Sequence, residues 1–111
     1  MFISRQIPID VESGEIADES VDQEARQVMN NLAAVLNEAD MNFSNVIKTT
    51  IFLTDMEYFQ EVNAIYAKYF SSDFPASETI AVKALPKGAR VEISAIASKE
   101  PTRLILNQLK K

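Results

Sequence analysis

The chain has 111 residues, 47% of them hydrophobic, and its 11 Lys and Arg against 16 Asp and Glu give a net charge of −5. That length supports one compact domain with its own core and not two, while the acidic balance disfavours nucleic acid and anionic membranes as direct partners. The absence of Cys and His removes thiol nucleophiles, imidazole bases, disulfides and the usual zinc and haem ligands. No metal or cofactor is therefore expected, and any chemistry falls to carboxylates, hydroxyls, Lys, Arg, Tyr or the backbone.

Met1 leads into a strand pattern rather than a basic segment followed by an apolar signal core, and no apolar run reaches membrane-spanning length. A cytoplasmic protein with no membrane partner is the expectation. "MFISRQIPI" reads as a short strand closed by Pro8, and "DVESGEIADES" as a polar loop. Ser20 and Gln23 form an S-x-x-Q capping pattern that opens a helix over 21–39. Along it Ala25, Val28, Met29, Leu32, Val35, Leu36 and Ala39 recur at three- and four-residue spacing, so one face is apolar and covers a sheet.

"NVIKTTIFLT" is β-branched and alternates, placing Ile47, Thr49, Ile51 and Leu53 on one side and Val46, Lys48, Thr50 and Phe52 on the other. This is a central strand. Asp55 caps a second helix with a stripe of Phe59, Val62, Tyr66, Tyr69 and Phe70 that packs on the sheet, and Ser71 to Pro75 end it. Two strand-like runs at about 78–85 and 90–97 flank "PKGA" closely enough to pair as an antiparallel hairpin. The order predicts an α+β sandwich, a mixed sheet with two helices on one face, in a single domain over 1–97 with a tail at 98–111. The sheet face away from the helices carries apolar residues in every strand. Self-association would cover it, and so would the tail.

Four motifs point to a family. "SRQIP" at 4–8 is similar to S-G-Q-I-P, "IKTTIFLTD" at 47–55 to V-K-T-T-V-F-V-x-D, and "VNAIYAKYF" at 62–70 to V-N-x-x-Y-x-x-F-F. Residues 74–97 look like F-P-A-R-S…V-x-x-L-P…V-E-I-E-A-I-A. From about Ile3 to Ala97 the chain thus resembles the YjgF/Rid family of reactive-intermediate deaminases, also called liver perchloric-acid-soluble proteins. The resemblance implies a chorismate-mutase-like fold and a homotrimer, its sheets packed inward as a barrel with three clefts between subunits. It also implies hydrolysis of 2-imino acids (2-iminobutanoate, 2-iminopropanoate) to 2-oxo acids and ammonia. Endoribonuclease and translation-inhibitor labels attach to the family as well, but the acidic charge and missing His support a ribonuclease mechanism poorly.

In the family the arginine of F-P-A-R holds the substrate carboxylate and the latter glutamate of V-E-I-E orients water. Here those positions are Ser77 and Ser94. The resemblance retains Ser4, which lines the cleft, and Asn63 and Tyr66 from the second helix, while Thr79 stands where many members have Cys. The family glycine of S-G-Q is Arg5, and the chain begins at what would be the third strand, without two leading strands and a cleft tyrosine. The expected contacts to a small carboxylate ligand are therefore Ser4, Arg5, Asn63, Tyr66, Ser77, Thr79 and Ser94. No catalytic residue is assigned, and the implied deaminase activity is expected to be weak or lost. A non-catalytic regulator that binds a ligand or protein is the alternative. Arg5 has three readings: an exposed strand-end cation, a replacement for the lost guanidinium, or a plug. Alternation puts Arg90, Glu92 and Ser94 on one face about 7 Å apart, so Glu92 either acts near the site or pairs with Arg90 or a cross-strand cation. The apolar segment 102–109 is expected to dock over the strand edge of Phe2 and Ile3.

Overall fold

The Ser20 hydroxyl accepts the amide of Gln23 at 3.0 Å, and from that cap helix α1 runs over Val21–Glu38. Asp40 ends it by taking the left-handed conformation, φ 59°, which lets the amide of Met41 return to the carbonyl of Leu36 at 2.9 Å. The computed structural model describes residues 2–17, 19–70 and 74–99, with Phe2 and Ser4 described by their backbone alone. The remaining elements are β1 (Phe2–Gln6), β2 (Val46–Leu53), α2 (Phe59–Ala67), β3 (Ala76–Ala81) and β4 (Val91–Ala97), with single 3-10 turns at 43–45, 56–58 and 86–88. The expected 98–111 tail and its docking segment lie outside the described residues from 100 onward. Among the described residues no helix is long and apolar enough to cross a membrane.

The strands form one mixed sheet in the order β1-β4-β2-β3. β4 is antiparallel to both β1 and β2, and β3 lies parallel to β2. The expected hairpin between the last two strands is therefore corrected: β3 and β4 are separated by β2. The turn that suggested a hairpin does form, with Lys87 and Gly88 both at positive φ and the Ala89 amide 3.1 Å from the Pro86 carbonyl. The chain entering it has already left the sheet, because Val82 makes its last ladder bond to the carbonyl of Leu53 at 2.8 Å and Leu85 turns into the core. Burial decides the choice of neighbour. β4 is buried at Val91, Glu92, Ile93, Ser94, Ala95 and Ala97 and belongs in the middle, whereas β3 is exposed or half-buried throughout and suits an edge.

Both helices pack on one face. Val28, Met29, Leu32 and Leu36 of α1 and Val62 and Ile65 of α2 are buried against Ile51, Leu53, Val91 and Ile93. Two details of the predicted faces change. A register shift between Val46 and Lys48 turns Val46 into the core and leaves Ile47 half-buried. Phe59 is 38% exposed; the α2 stripe is carried by Val62, Ile65 and Tyr66, and Phe70 beyond the helix end extends it. The Tyr66 hydroxyl lies 2.7 Å from Thr49 Oγ1, and Phe70 meets Tyr66 at a tilt and Phe43 edge-to-face, at ring-centroid distances of 4.9 and 5.3 Å.

A charged residue holds α1 to β4. Glu24 is fully buried in the first turn of α1; it accepts the Arg90 amide at 2.8 Å and pairs with the Arg90 guanidinium at Nε. Arg90 is thus drawn to the helix side and does not share the face of Glu92, correcting the expected Arg90–Glu92 relation. Removing one partner of a buried pair leaves the other uncompensated. Glu24→Ala is expected to lower unfolding free energy by about 3 kcal/mol, read from urea midpoints; a loss under about 1 kcal/mol would show that the clamp contributes little.

Candidate functional site

Period-two alternation in β2 and β4 sends Lys48, Thr50 and Phe52 to the face away from the helices, opposite Ile96, Ser94 and Glu92 in that order. β3 extends this face with Ala76, Glu78 and Ile80, in register with Lys48, Thr50 and Phe52. An open groove of ≈ 160 Å³ lies here, lined by Lys48, Thr50, Ser94, Ala95 and Ile96. Its rim is charged. Thr50 Oγ1 donates to Glu78 Oε1 at 3.3 Å, and Lys48 Nζ stands 3.9 Å from the same oxygen. Ser94 lies on its floor, largely buried.

Arg5 reaches the same face through an irregularity in β1. Ile3 pairs with Ala95 and Gln6 with Ile93, so three steps of β1 match two of β4. Ser4 and Arg5 together stand opposite Ser94. Such a bulge re-aims a side chain that strict alternation would have placed beside Ile3, under the helices. The Arg5 guanidinium instead lies 3.9 Å above the Phe52 ring, and its Nε is 3.0 Å from Glu92 Oε1. The Arg5 side chain is 48% exposed and that of Glu92 only 5%. Glu92 Oε2 is buried and has no hydrogen-bond partner among the described residues, so Arg5 is the counter-charge that balances it.

The other expected site residues are distributed elsewhere. Ser77 and Thr79 are in register with Thr49 and Ile51, which places them on the helix side of the sheet, the opposite face from Ser94. Ser77 is exposed and Thr79 half-buried. Within one chain the sheet therefore separates Ser77 from Ser94. Asn63 is exposed on α2. Tyr66 is 4% exposed with its hydroxyl on Thr49, so it faces the core of this chain. Burial raises its pKa above the ordinary tyrosine value, against the smaller lowering effect of the Thr49 hydrogen bond. The structure brings the Ser4–Arg5 bulge and Glu92 next to Ser94; Lys48 and Thr50, which line the groove with Ser94, were not singled out in the sequence.

The sequence matches the family model described as endoribonuclease L-PSP over residues 1–99. A human protein named 2-iminobutanoate/2-iminopropanoate deaminase is 45% identical over 101 residues, covering 91% of this chain and 74% of its own length. The solved structure of the YjgF gene product of E. coli superposes with a TM-score of 0.85 at 35% identity, over 89% of this chain and 80% of that one. E. coli TdcF, solved with bound serine, also superposes with a TM-score of 0.85, at 33% identity and the same coverages.

The placement of Tyr66 carries a prediction. Because its folded pKa is raised, the neutral phenol is favoured by folding; that stabilisation is whole below the unfolded value near pH 10 and is lost as pH rises through the folded value. Tyr66→Phe, which leaves the Thr49 hydroxyl unpaired, is expected to cost about 1 kcal/mol at pH 8, and the gap to the parent to narrow by pH 11. A gap unchanged between the two pH values in denaturant melts would contradict the buried-phenol account.

Proposed function

This chain belongs to the endoribonuclease L-PSP family, the YjgF/Rid proteins, and from that membership we propose that it is a small-carboxylate-binding Rid protein whose 2-imino acid hydrolysis is weak or lost. The observation that carries the reading is the pair of serines: Ser77, exposed on one face, and Ser94, in the groove of the other. Imine hydrolysis needs a cation to fix the substrate carboxylate and an acceptor to orient water at the iminium carbon. A planar guanidinium meets the first demand because its fork matches two carboxylate oxygens and keeps its charge. A serine hydroxyl supplies neither a fixed charge nor a base of useful strength near neutral pH. The name of the human relative supports the reaction class, and the serine bound to TdcF supports a small carboxylate as ligand.

The two faces also favour assembly. A cleft that uses the Ser77 and Ser94 positions together requires two subunits, since one sheet lies between them. Phe52, Ile80 and Ile96 give the groove face apolar area that a second chain would cover. The reading is therefore a trimer with its ligand clefts between subunits.

Three outcomes test it. 2-Iminobutanoate generated in situ should disappear at least about 100-fold more slowly than with the human deaminase; a comparable rate would overturn weak hydrolysis. Ser77→Arg with Ser94→Glu should raise the rate more than either change alone, because anchor and water act on one substrate. Light scattering should give three times the 12.4 kDa of one chain, and a stable monomer at micromolar concentration would contradict the assembly.

A further inference from the structure

We propose that Arg5 anchors the ligand carboxylate in this chain, a role that Ser77 cannot fill. This rests on the small-carboxylate reading above and adds the residue that makes such a ligand possible. The bulge sets the Arg5 backbone opposite Ser94, and the guanidinium lies over the neighbouring Phe52–Glu92 pair, next to the groove rather than at a strand end remote from it. Two contacts hold it there: the ion pair from Nε to Glu92 Oε1 and the face of Phe52. A guanidinium carries five N–H donors on more than one edge. With Glu92 at the Nε flank and nearly half of the side chain exposed, the terminal Nη edge is the one turned to a ligand.

The rest of the surface fits a small monocarboxylate. Thr50 and Ser94 form the cross-strand pair next to Phe52 and Glu92, about 7 Å along the strands, so a short 2-oxo acid held at Arg5 lays its carbonyl end over two hydroxyls. Glu92 makes the local pair neutral. Affinity then comes from the planar match between guanidinium and carboxylate more than from net field, which favours a monocarboxylate over a multiply charged phosphate. Glu92 also explains how the guanidinium is fixed in advance: a buried carboxylate with one oxygen unpartnered has Arg5 as its counter-charge, and a fixed anchor loses little entropy on binding.

Calorimetry on the full chain with 2-oxobutanoate, and with inorganic phosphate as control, tests the assignment. Since Arg5→Gly alone strands the buried Glu92 charge, the main variant is Arg5→Gly with Glu92→Gln, checked for an unchanged circular dichroism spectrum. It should weaken 2-oxobutanoate binding at least about tenfold, equal to about 1.4 kcal/mol, with Arg5→Lys in between because a point charge replaces part of the fork, and phosphate should bind none of the three appreciably. Unchanged or tighter 2-oxobutanoate binding in the double variant, phosphate binding as strong as that of 2-oxobutanoate, or no 2-oxobutanoate binding by the parent chain would each overturn the proposal. The outcome separates from that of the hydrolysis assay: slow turnover with Arg5-independent binding sinks only the anchor. Fast turnover with Arg5-dependent binding sinks only the weak-hydrolysis reading.

Discussion

The central position of β4 is the constraint on which the rest of this structure depends. A strand inserted between two others must satisfy a hydrogen-bond ladder on both edges and packing on at least one face, and β4 does so with Val91, Ile93, Ala95 and Ala97 turned to the helices. Its alternate residues, Glu92 and Ser94, are then fixed on the other face, and they are nearly as well buried. A carboxylate buried in that position costs free energy unless it is paired. The sheet thus creates the demand for a cation on the face that carries the groove, and Arg5 meets it. Just before the same end of the strand the Arg90 backbone and side chain are taken by Glu24, so the start of β4 is tied to α1 by one ion pair and to β1 by another.

Those two ion pairs differ in kind. Glu24 is closed in on all sides and bonded at both oxygens, an arrangement that fixes where α1 begins relative to the sheet and leaves nothing for a ligand. Glu92 is bonded at one oxygen, and its partner remains half exposed. The first is a structural clamp. The second pairs a buried carboxylate with a cation that stays partly exposed within the chain.

Much of the local structure was legible because local rules generate it. The S-x-x-Q pattern marked the start of α1, the three- and four-residue spacing its buried face, and the alternation of "IKTTIFL" the two sides of β2. The motifs from Ile3 to Ala97 pointed to the family whose model the chain matches. What failed was pairing. "PKGA" has the chemistry of a hairpin turn and adopts it, yet a turn specifies only the path of four residues, and the neighbour of β3 was decided by α2 returning the chain to the open edge of β2. Glu24 escaped notice because a glutamate in a first helical turn is ordinarily a solvated residue favoured by the helix dipole; its burial depends on a strand 66 positions away. Arg5 was visible as a departure from S-G-Q, but its direction was not, because alternation alone sends it to the face of Ile3.

The backbone at that bulge shows what an arginine changes there. A glycine stands at this position in the motif that "SRQIP" resembles, and glycine is the residue favoured where φ is positive. Among the described residues positive φ occurs at Gly14, Asp40, Lys87 and Gly88, so Arg5 adopts a conformation open to any residue. The replacement therefore adds no backbone strain, and its effects come from the side chain it adds. Glu92 matches the first glutamate of V-E-I-E, so the carboxylate belongs to the shared motif while the guanidinium facing it does not. A side chain in place of a glycine occupies space that an approaching ligand would otherwise have, and the Phe52 and Glu92 contacts determine how much. They draw the guanidinium over the Phe52 ring and against Glu92, the cross-strand pair next to Thr50 and Ser94.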